Sequence, residues 1–237
     1  MGEPWLLIET SGRGGFVALA VGGTVVGTRV LDPGRRQNRD LAPFAGELLT
    51  AAGLTPKSLR GVVVSVGPGS YTGLRVGLIS AKVLAYAVGC ELIAVPTFAA
   101  IADLAPPELT AVDVISDGLQ GLVYSQRYER SAGVVAATNA LHIVTLADWI
   151  ATGPTAVSGP GLTLADAALE ADVVRVAVEL RMPTAASLFA AGRRIAPVSR
   201  EELFALEPLY LRPSSAEEQA AKRAAAPPQA TLGERPT

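Results

Sequence analysis

The sequence predicts an α/β fold of two lobes, each a mixed sheet flanked by helices. The chain has 237 residues, enough for one large domain or two small ones. Short segments rich in β-branched residues alternate with segments of helical periodicity, as in sheets covered by helices. The pair Pro106-Pro107 interrupts this alternation. We therefore place an amino-terminal lobe at residues 1–105 and a second, smaller lobe at residues 106–212.

Three strands are predicted to open the amino-terminal lobe. The segments Trp5 to Ile8, Phe16 to Val21 and Thr24 to Val30 are rich in apolar and β-branched residues. Gly22-Gly23 is a hairpin signal between the second and third of them. A helix is predicted from about Asp40 to Ala52, where apolar residues recur at helical spacing. An antiparallel meander is thus expected to lead into a helix.

The segment from Val62 to Thr97 is the centre of the prediction. Val62 to Val64 has the composition of a strand buried on both faces. The glycine-rich turn Gly67 to Gly73 follows it, and a helix is predicted from Thr72 to Val88. A second buried strand is expected from Leu92 to Val95. Because open α/β sheets bind ligands at the carboxyl ends of their strands, this turn is a candidate ligand site.

A three-strand meander joined through helices to two parallel strands is typical of an actin/hexokinase-like (ASKHA) domain. Beyond Pro107 the pattern resembles a decayed second copy of the first half. The strands predicted there are Ala111–Ser116, Leu122–Tyr128, Leu141–Val144, Ala156–Ser158 and Val173–Val176. The helices predicted there are Leu146–Ala151, Leu162–Leu169 and Ala185–Arg194. Residues 213–237 hold nothing large to bury and are predicted to be a disordered tail.

The helix predicted from Thr72 to Val88 is apolar around most of its circumference. At about 100° per residue, Arg75, Lys82 and Tyr86 share one narrow stripe, and the other positions are apolar or small. A helix that covers one face of a sheet needs an apolar stripe only somewhat wider than about 100°. We therefore expect a second cover on this helix, from another domain of the chain or from another protein.

Composition disfavours several classes of protein. The formal net charge is −2 and no long basic run is present, which argues against nucleic-acid binding driven by phosphate attraction. The single cysteine, Cys90, excludes an internal disulfide and indicates a reducing compartment. No apolar leader opens the chain, and Lys82 breaks the longest apolar run. The expected location is the cytoplasm, with no membrane partner.

Two strand ends could carry chemistry. Actin-like ATPases keep a carboxylate and a phosphate-binding turn where Glu9-Thr10-Ser11 stands, and would need a second carboxylate opposite, such as Asp117. Backbone N–H groups of the glycine-rich turn could hold an anion. The alternative is that the glycines only permit tight packing and that Asp117 only shapes a hairpin. The candidate vestigial nucleotide or anion site consists of Glu9, Thr10, Ser11, Gly67, Gly69, Ser70, Thr72 and Asp117.

The chain contains one histidine, His142. Metal-dependent hydrolysis normally recruits more than one imidazole, so no metal site is predicted. Ser/His/Asp catalysis would need His142 as its base, and nothing in the sequence places a serine elbow near it. No catalytic residue is therefore assigned.

The stretch from Gly67 to Gly77 reads GPGSYTGLRVG, and the pattern continues through Ala81-Lys82 to Val95-Pro96-Thr97. It closely resembles the bacterial TsaB (YeaZ) family. Weaker matches are Glu9-Thr10-Ser11, Ala52-Gly53-Leu54, Asp117 with Gly121 and Tyr124, and Tyr210-Leu211-Arg212. The resemblance implies a two-lobed actin/hexokinase-like fold and a non-catalytic partner of the TsaD enzyme. With the ATPase TsaE, that assembly places a threonylcarbamoyl group on the adenosine beside the anticodon of tRNAs that read codons starting with A.

The resemblance also implies where partners bind. In TsaB-like proteins the first two helices of the amino-terminal lobe form a dimer face, with TsaD or with a second copy. The partner-binding residues expected here are Leu41, Phe44, Leu48, Leu74, Arg75, Leu78, Lys82 and Ala85. No cofactor is expected to be required by this chain itself, ATP or ADP being expected at the level of the complex, and the chain is expected to form a homodimer when alone. Contact with tRNA is expected mainly through the complex.

An actin-like, ATP-dependent small-molecule kinase is the alternative function. It would use Glu9, Asp117 and the glycine-rich turn. The sequence also departs from the family pattern, because Glu9 stands where Asp is usual and Leu119 and Leu122 replace an Arg and a Glu. The two leucines remove charge from the cleft side of the second lobe, which weakens a nucleotide-handling role.

Overall fold

The structure is a computed structural model that describes residues 2–12, 14–32 and 37–212. It contains two mixed β-sheets, each flanked by helices, which confirms the predicted fold class. The predicted tail at residues 213–237 lies outside the described residues. Within the described part of the chain, no helix is long and apolar enough to cross a membrane.

Five strands form the amino-terminal sheet, and β4 is buried at every position, as its run of valines predicts. The strands are β1 (Pro4–Glu9), β2 (Gly15–Val21), β3 (Thr24–Leu31), β4 (Gly61–Ser65) and β5 (Glu91–Val95). Their order is β3-β2-β1-β4-β5. The first three are antiparallel neighbours, whereas β4 and β5 run parallel to β1.

Three helices belong to this half of the sequence: α1 (Gln37–Ala51), α2 (Tyr71–Val88) and α3 (Thr97–Ala102). Apolar side chains of α1 and α2 share one core cluster with β1, β2 and β4. Ser70 caps the start of α2 by accepting a hydrogen bond from the Gly73 N–H. Gly89 ends it in the left-handed conformation, with φ 75°. The bounds of α2 therefore agree with the prediction to within one residue.

The second sheet has six strands, of which β8 was not predicted from the sequence. They are β6 (Ala111–Leu119), β7 (Leu122–Ser131), β8 (Val134–Ala137), β9 (His142–Thr145), β10 (Ala156–Ser158) and β11 (Val174–Arg175). The order is β11-β10-β6-β7-β8, and β9 also pairs with β7. The helices that follow are α4 (Leu146–Ile150), α5 (Leu162–Ala165) and α6 (Ala185–Gly192). The single helix predicted from Leu162 to Leu169 is instead α5 followed by a 3₁₀ turn.

The two sheets share one topology. In each, an antiparallel meander is followed by two strands that run parallel to its first strand: β4 and β5 to β1, and β10 and β11 to β6. The helices α1 and α4 occupy the same place in this order, between the meander and the next parallel strand. The strand order is therefore that of a duplicated lobe.

The last helix of each lobe in sequence packs against the sheet of the other lobe. α3 follows the amino-terminal sheet, yet Phe98 and Ile101 pack in a core cluster with residues of β6 and β7. α6 follows the second sheet, yet Leu188 and Phe189 pack against β1, β2 and β4. A boundary after residue 105 therefore divides the two sheets but not the two hydrophobic cores.

The last described residues, Leu203–Arg212, fold back onto the amino-terminal lobe, and we call them the C-terminal segment. Leu203 is buried in the same core cluster as α1 and α2. The Leu209 N–H donates to the Val66 carbonyl at 2.8 Å. Arg212 then donates to the Gly118 carbonyl near the end of β6. The segment thus runs from α2 to the second sheet.

Candidate functional site

The end of β1 and the glycine-rich turn after β4 contact each other directly. Glu9 Oε1 accepts a hydrogen bond of 2.6 Å from the Ser11 N–H. The Ser11 carbonyl accepts one of 2.6 Å from the Ser70 N–H. A Cβ on Gly69 would lie 2.5 Å from that carbonyl oxygen, so the contact requires glycine there. The structure thus brings Glu9-Thr10-Ser11 together with the turn that the sequence singled out.

Three backbone N–H groups around the start of α2 are already hydrogen-bonded within the chain. The Gly67 N–H donates to Thr97 Oγ1 at 3.1 Å, and the Gly73 N–H donates to Ser70 Oγ at 3.3 Å. The Ser70 N–H is the third, bonded to the Ser11 carbonyl. These bonds favour the packing role for the turn over the anion-binding role.

Thr10 lies beneath α2 in a small buried polar group. A Cβ on Gly77 would lie 2.1 Å from Thr10 Oγ1, so the helix can approach only because Gly77 has no side chain. Within the described residues, Thr10 Oγ1, Ser65 Oγ and Glu9 Oε2 make no hydrogen bond. Burial raises the pKa of Glu9, and hydrogen bonding to Ser11 opposes part of that rise. Glu9 is only 2% exposed, so the group is closed to solvent.

The other two residues of the predicted site lie elsewhere. Thr72 is exposed on the first turn of α2. Asp117 is exposed on β6, where its Oδ1 accepts a hydrogen bond of 2.7 Å from the Leu119 N–H. Leu119 and Gln120 both adopt positive φ, 64° and 56°. Asp117 therefore shapes the β6–β7 hairpin, as the alternative interpretation of the sequence proposed.

The second lobe carries a turn of the same kind, which the sequence interpretation missed. Gly159-Pro160-Gly161 follows β10 as Gly67-Pro68-Gly69 follows β4. The first glycine of each turn has a positive φ, 94° and 110° respectively. The Gly161 N–H donates to the Ile115 carbonyl of β6 at 3.0 Å, so this turn also bonds to the first strand of its own sheet. The repeated Gly-Pro-Gly string is the signal that could have identified it.

Five of the eight residues predicted to bind a partner lie in the hydrophobic core. They are Leu41, Leu48, Leu74, Leu78 and Ala85, each at most 4% exposed. Their assignment to a partner-binding surface is therefore corrected, because they hold α1 and α2 against the sheet. Periodicity grouped the apolar positions of each helix but could not show which side faces the core.

Two more of the eight, Arg75 and Lys82, face the C-terminal segment. Arg75 Nε donates to the Tyr210 hydroxyl at 3.1 Å. Lys82 Nζ donates to the carbonyls of Phe204 and Leu206 at 2.8 and 2.9 Å. A groove of about 860 Å³ lies between α2 and this segment. The second cover expected on α2 is thus provided in part by the chain itself.

An apolar strip remains exposed on α2. Ile79, Val83 and Tyr86 are 58%, 63% and 55% exposed. Phe204, 63% exposed, meets Tyr86 edge to face with 5.1 Å between the ring centroids. We call these four residues the α2 strip. Phe44, the last of the eight predicted residues, is half-buried on α1.

The single histidine lies on β9, with its Nδ1 3.0 Å from the Ala140 carbonyl oxygen. Among the described residues, no group of three or more His, Cys, Asp or Glu side chains could hold a metal ion.

Comparison with known proteins places this geometry in a family. Residues 33–202 match the family model described as TsaD, tRNA N6-adenosine threonylcarbamoyltransferase. The chain is 30% identical over 145 residues to the tRNA threonylcarbamoyladenosine biosynthesis protein TsaB of Bacillus subtilis, a match that covers 61% of this chain and 63% of that protein. It is 27% identical over 227 residues to Escherichia coli TsaB, covering 87% of this chain and 94% of that one.

Solved structures agree in fold. YeaZ from Pseudomonas aeruginosa superposes with a TM-score of 0.72 at 22% identity, over 88% of this chain and 100% of that one. A second Pseudomonas aeruginosa protein, described as similar to peptidase YEAZ, gives a TM-score of 0.74 at 23% identity, over 89% of this chain and 100% of that one. The matched family model spans more than half of the chain, and the resemblance carried by the glycine-rich turn is confirmed. The chain therefore belongs to the TsaD family of proteins and, within it, to the TsaB (YeaZ) family.

Proposed function

We propose that this protein is a non-catalytic scaffold or activating subunit in the biosynthesis of threonylcarbamoyladenosine in tRNA. Its relatives in Bacillus subtilis and Escherichia coli carry that biosynthesis in their names. The subunit would pair with a TsaD-type catalytic subunit through the outer face of α1 and α2. A TsaE-type ATPase would join the same complex in the cytoplasm, and tRNA would be contacted mainly through the complex.

The α2 strip is the observation that carries this proposal. Three large apolar side chains on one helix, each more than half exposed, are unusual on a free surface and typical of a surface that meets another protein. Phe204 and Tyr86 are aromatic, the class of residue enriched in the cores of interfaces. The same surface would allow two copies of the chain to pair when no other partner is present.

The closed strand ends support a non-catalytic role. The Ser11 carbonyl and the Thr97 hydroxyl accept hydrogen bonds from N–H groups of the glycine-rich turn. Glu9 is buried beside them. A kinase would need Glu9 to reach a bound nucleotide together with a second carboxylate. ATP hydrolysis by the isolated chain, lost in the Glu9→Ala variant, would overturn the non-catalytic role and favour the kinase alternative.

Co-purification with the TsaD-type subunit of the same organism tests the proposed pairing. Val83→Glu places a charge in the centre of the α2 strip, at a position exposed enough to leave the monomer folded. We expect this variant to lose at least about tenfold in affinity for the partner, as for a central interface residue. Val178→Glu is the matched control, because Val178 is 71% exposed and lies in the second lobe. Equal binding by both variants would contradict the proposal.

A further inference from the structure

A cavity of about 370 Å³ opens in the second lobe, on the face of the sheet that carries α4. Polar and charged residues contribute to its lining, and we call it the β6–β7 cavity. Six side chains matter for its chemistry: Asp113, Ser125, Arg127, Asn139, His142 and Trp149. The cavity is separate from the α2 strip, so a ligand bound in it would not depend on the proposed function.

An ion pair forms one wall of the β6–β7 cavity. Asp113 on β6 accepts a hydrogen bond of 2.9 Å from Arg127 Nη1 on the neighbouring strand β7. The Asp113 residue is 5% exposed, whereas the Arg127 side chain is 34% exposed. Burial raises the pKa of Asp113, and the charges of Arg127 and His142 oppose that rise. Arg127 engages one carboxylate oxygen, which leaves Asp113 Oδ1 as an acceptor.

Residues that line the cavity carry hydrogen-bond donors that the chain does not use. Trp149 is 1% exposed, and its Nε1–H has no partner in the described part of the chain. Ser125, also 1% exposed, forms no side-chain hydrogen bond among the described residues. Asn139 Oδ1 accepts from the Arg127 N–H at 2.8 Å, so its amide nitrogen remains available. Leaving a buried donor without a partner is unfavourable, so a bound acceptor would be favoured here.

His142 lies on the same wall. Its Nδ1 lies 3.0 Å from the Ala140 carbonyl oxygen, a contact in which the Nδ1–H is the donor. The cavity therefore combines unused donors with one carboxylate oxygen that remains an acceptor, Oδ1 of Asp113.

The amino-terminal lobe shows that the fold does not require an ion pair at this place on the sheet. On its equivalent face, beneath α1, the row across β2, β1 and β4 is Leu19, Leu6 and Val62, each at most 1% exposed. Across β7, β6 and β10 a corresponding row is Arg127, Asp113 and Val157. Burying an ion pair brings less stability than apolar packing of the same volume. The polar row is thus better explained by binding than by folding.

We propose that the β6–β7 cavity binds a small zwitterion, a free α-amino acid. The unused donors of Trp149, Ser125 and Asn139, together with Arg127, suit a carboxylate. The carboxylate of Asp113 suits an ammonium group. A simple anion would face the Asp113 carboxylate and a simple cation would leave the donors unused, whereas a molecule with both groups satisfies both sides of the cavity. The volume lies at the small end of ligand pockets, as expected for one amino acid.

Tryptophan fluorescence provides a direct test. The chain contains two tryptophans, Trp5 and Trp149, so a Trp5→Phe chain leaves the cavity residue as the sole reporter. We expect L-alanine, L-threonine or L-leucine to change its emission saturably, with a Kd of about 1 mM or tighter, confirmed by calorimetry on the unmodified protein. Propionate lacks the ammonium group and ethylamine lacks the carboxylate, so each should bind at least about tenfold more weakly. The absence of saturable binding of any of the three amino acids by both methods would overturn the proposal.

Substitutions then test the assigned residues. Asp113→Asn removes the charge that would hold the ammonium group, and we expect an affinity loss of at least about tenfold. Asp166→Asn is the matched control, since Asp166 pairs with Arg175 at 2.6 Å in the same lobe but outside the cavity. Ser125→Ala removes one donor without touching the ion pair and serves if Asp113→Asn fails to fold. Unchanged affinity in both Asp113→Asn and Ser125→Ala would show that the amino acid binds elsewhere.

Discussion

The two lobes have the same strand order, but different lengths of helix cover the equivalent faces of their sheets. α1 and α2 have 15 and 18 residues, whereas α4 and α5 have five and four. Beneath the long helices the sheet carries leucine and valine, and the outer side of α2 carries the α2 strip. Beneath the short helices part of the sheet carries Asp113 and Arg127, next to a cavity. One topology thus supports an outward helical surface in one lobe and a recess in the other.

This difference distinguishes features that both lobes share, which the fold requires, from features that occur in one lobe only. In both lobes the Gly-Pro-Gly turn, or the residue just after it, is hydrogen-bonded to the first strand of the sheet or to the residues that follow that strand, so this contact belongs to the fold. The α2 strip and the β6–β7 cavity each occur in one lobe only, so neither belongs to the shared framework. Four sets of substitutions test this division, from the largest expected effect to the smallest.

Leu78→Glu and Ile79→Glu test whether α2 has the two sides described. The two residues are adjacent, but Leu78 is 2% exposed and Ile79 is 58% exposed. A carboxylate at position 78 would be buried without a partner, so we expect a loss of about 4 kcal/mol or more in the free energy of unfolding. Ile79→Glu should change it by no more than about 0.5 kcal/mol. Urea unfolding followed by circular dichroism measures both, and similar midpoints would contradict the assignment of the helix faces.

Gly69→Ala and Gly161→Ala test whether the two turns are equivalent. An added Cβ would lie 2.5 Å from the Ser11 carbonyl oxygen in the first case and 2.8 Å from Ser116 Cα in the second. Backbone atoms cannot move aside cheaply, so each variant should lose about 1–3 kcal/mol. Gly46→Ala is the control: nothing lies within 4 Å of the added Cβ inside α1, and the substitution should stabilise the helix by about 0.5–1 kcal/mol. A loss of stability in only one of the two variants would contradict the equivalence of the two turns.

The sequence predicted those features that depend on neighbours along the chain. The valines of β4 and the glycines around α2 are local signals, and both elements lie within one residue of their predicted bounds. The sequence could not show which face of α2 is buried, because Leu78 and Ile79 are both apolar and only the position of the sheet distinguishes their environments. Asp113 and Arg127 lie 14 residues apart and meet only through the register of β6 and β7. The β6–β7 cavity therefore could not be predicted, although the second Gly-Pro-Gly turn was readable and was overlooked.

Lys82→Met tests whether the C-terminal segment is held by the polar stripe of α2. The substitution keeps most of the apolar stem but removes the two hydrogen bonds to the carbonyls of Phe204 and Leu206. We expect a loss of about 1–2 kcal/mol, confined to this segment. Hydrogen exchange at the Leu206 and Leu209 amides should accelerate, because their bonds depend on the segment staying in place. The exposed Lys57 supplies the control variant Lys57→Met. Equal exchange in both variants would show that the other contacts of the segment hold it without Lys82.

Glu9→Gln compares the two strand ends that carry buried polar groups. In the second lobe the unbonded buried groups at the corresponding strand ends are the hydroxyls of Ser116 and Ser158, which do not ionise near neutral pH. In the amino-terminal lobe the group is a carboxyl, and burial raises its pKa above the ordinary value of 4.5. The native state therefore holds the Glu9 proton more tightly than the unfolded state does. It follows that Glu9 makes the protein less stable as the pH rises from below 4.5 through the raised native pKa.

The glutamine variant lacks that pH dependence and keeps the shape of the site. Its Oε1 can still accept the Ser11 N–H, and its amide can donate to the neighbouring hydroxyl oxygen of Ser65. We expect Glu9→Gln to be more stable than the wild type at neutral pH, by about 1.4 kcal/mol for each unit by which the native pKa of Glu9 is raised. That advantage should disappear below pH 4.5, because the wild-type carboxyl is then protonated in both states. Urea midpoints across this pH range measure the difference, with the exposed Glu108→Gln as control. Curves of wild type and Glu9→Gln that stay parallel would mean that the strand end admits water, and that the amino-terminal lobe is more open here than its buried Glu9 implies.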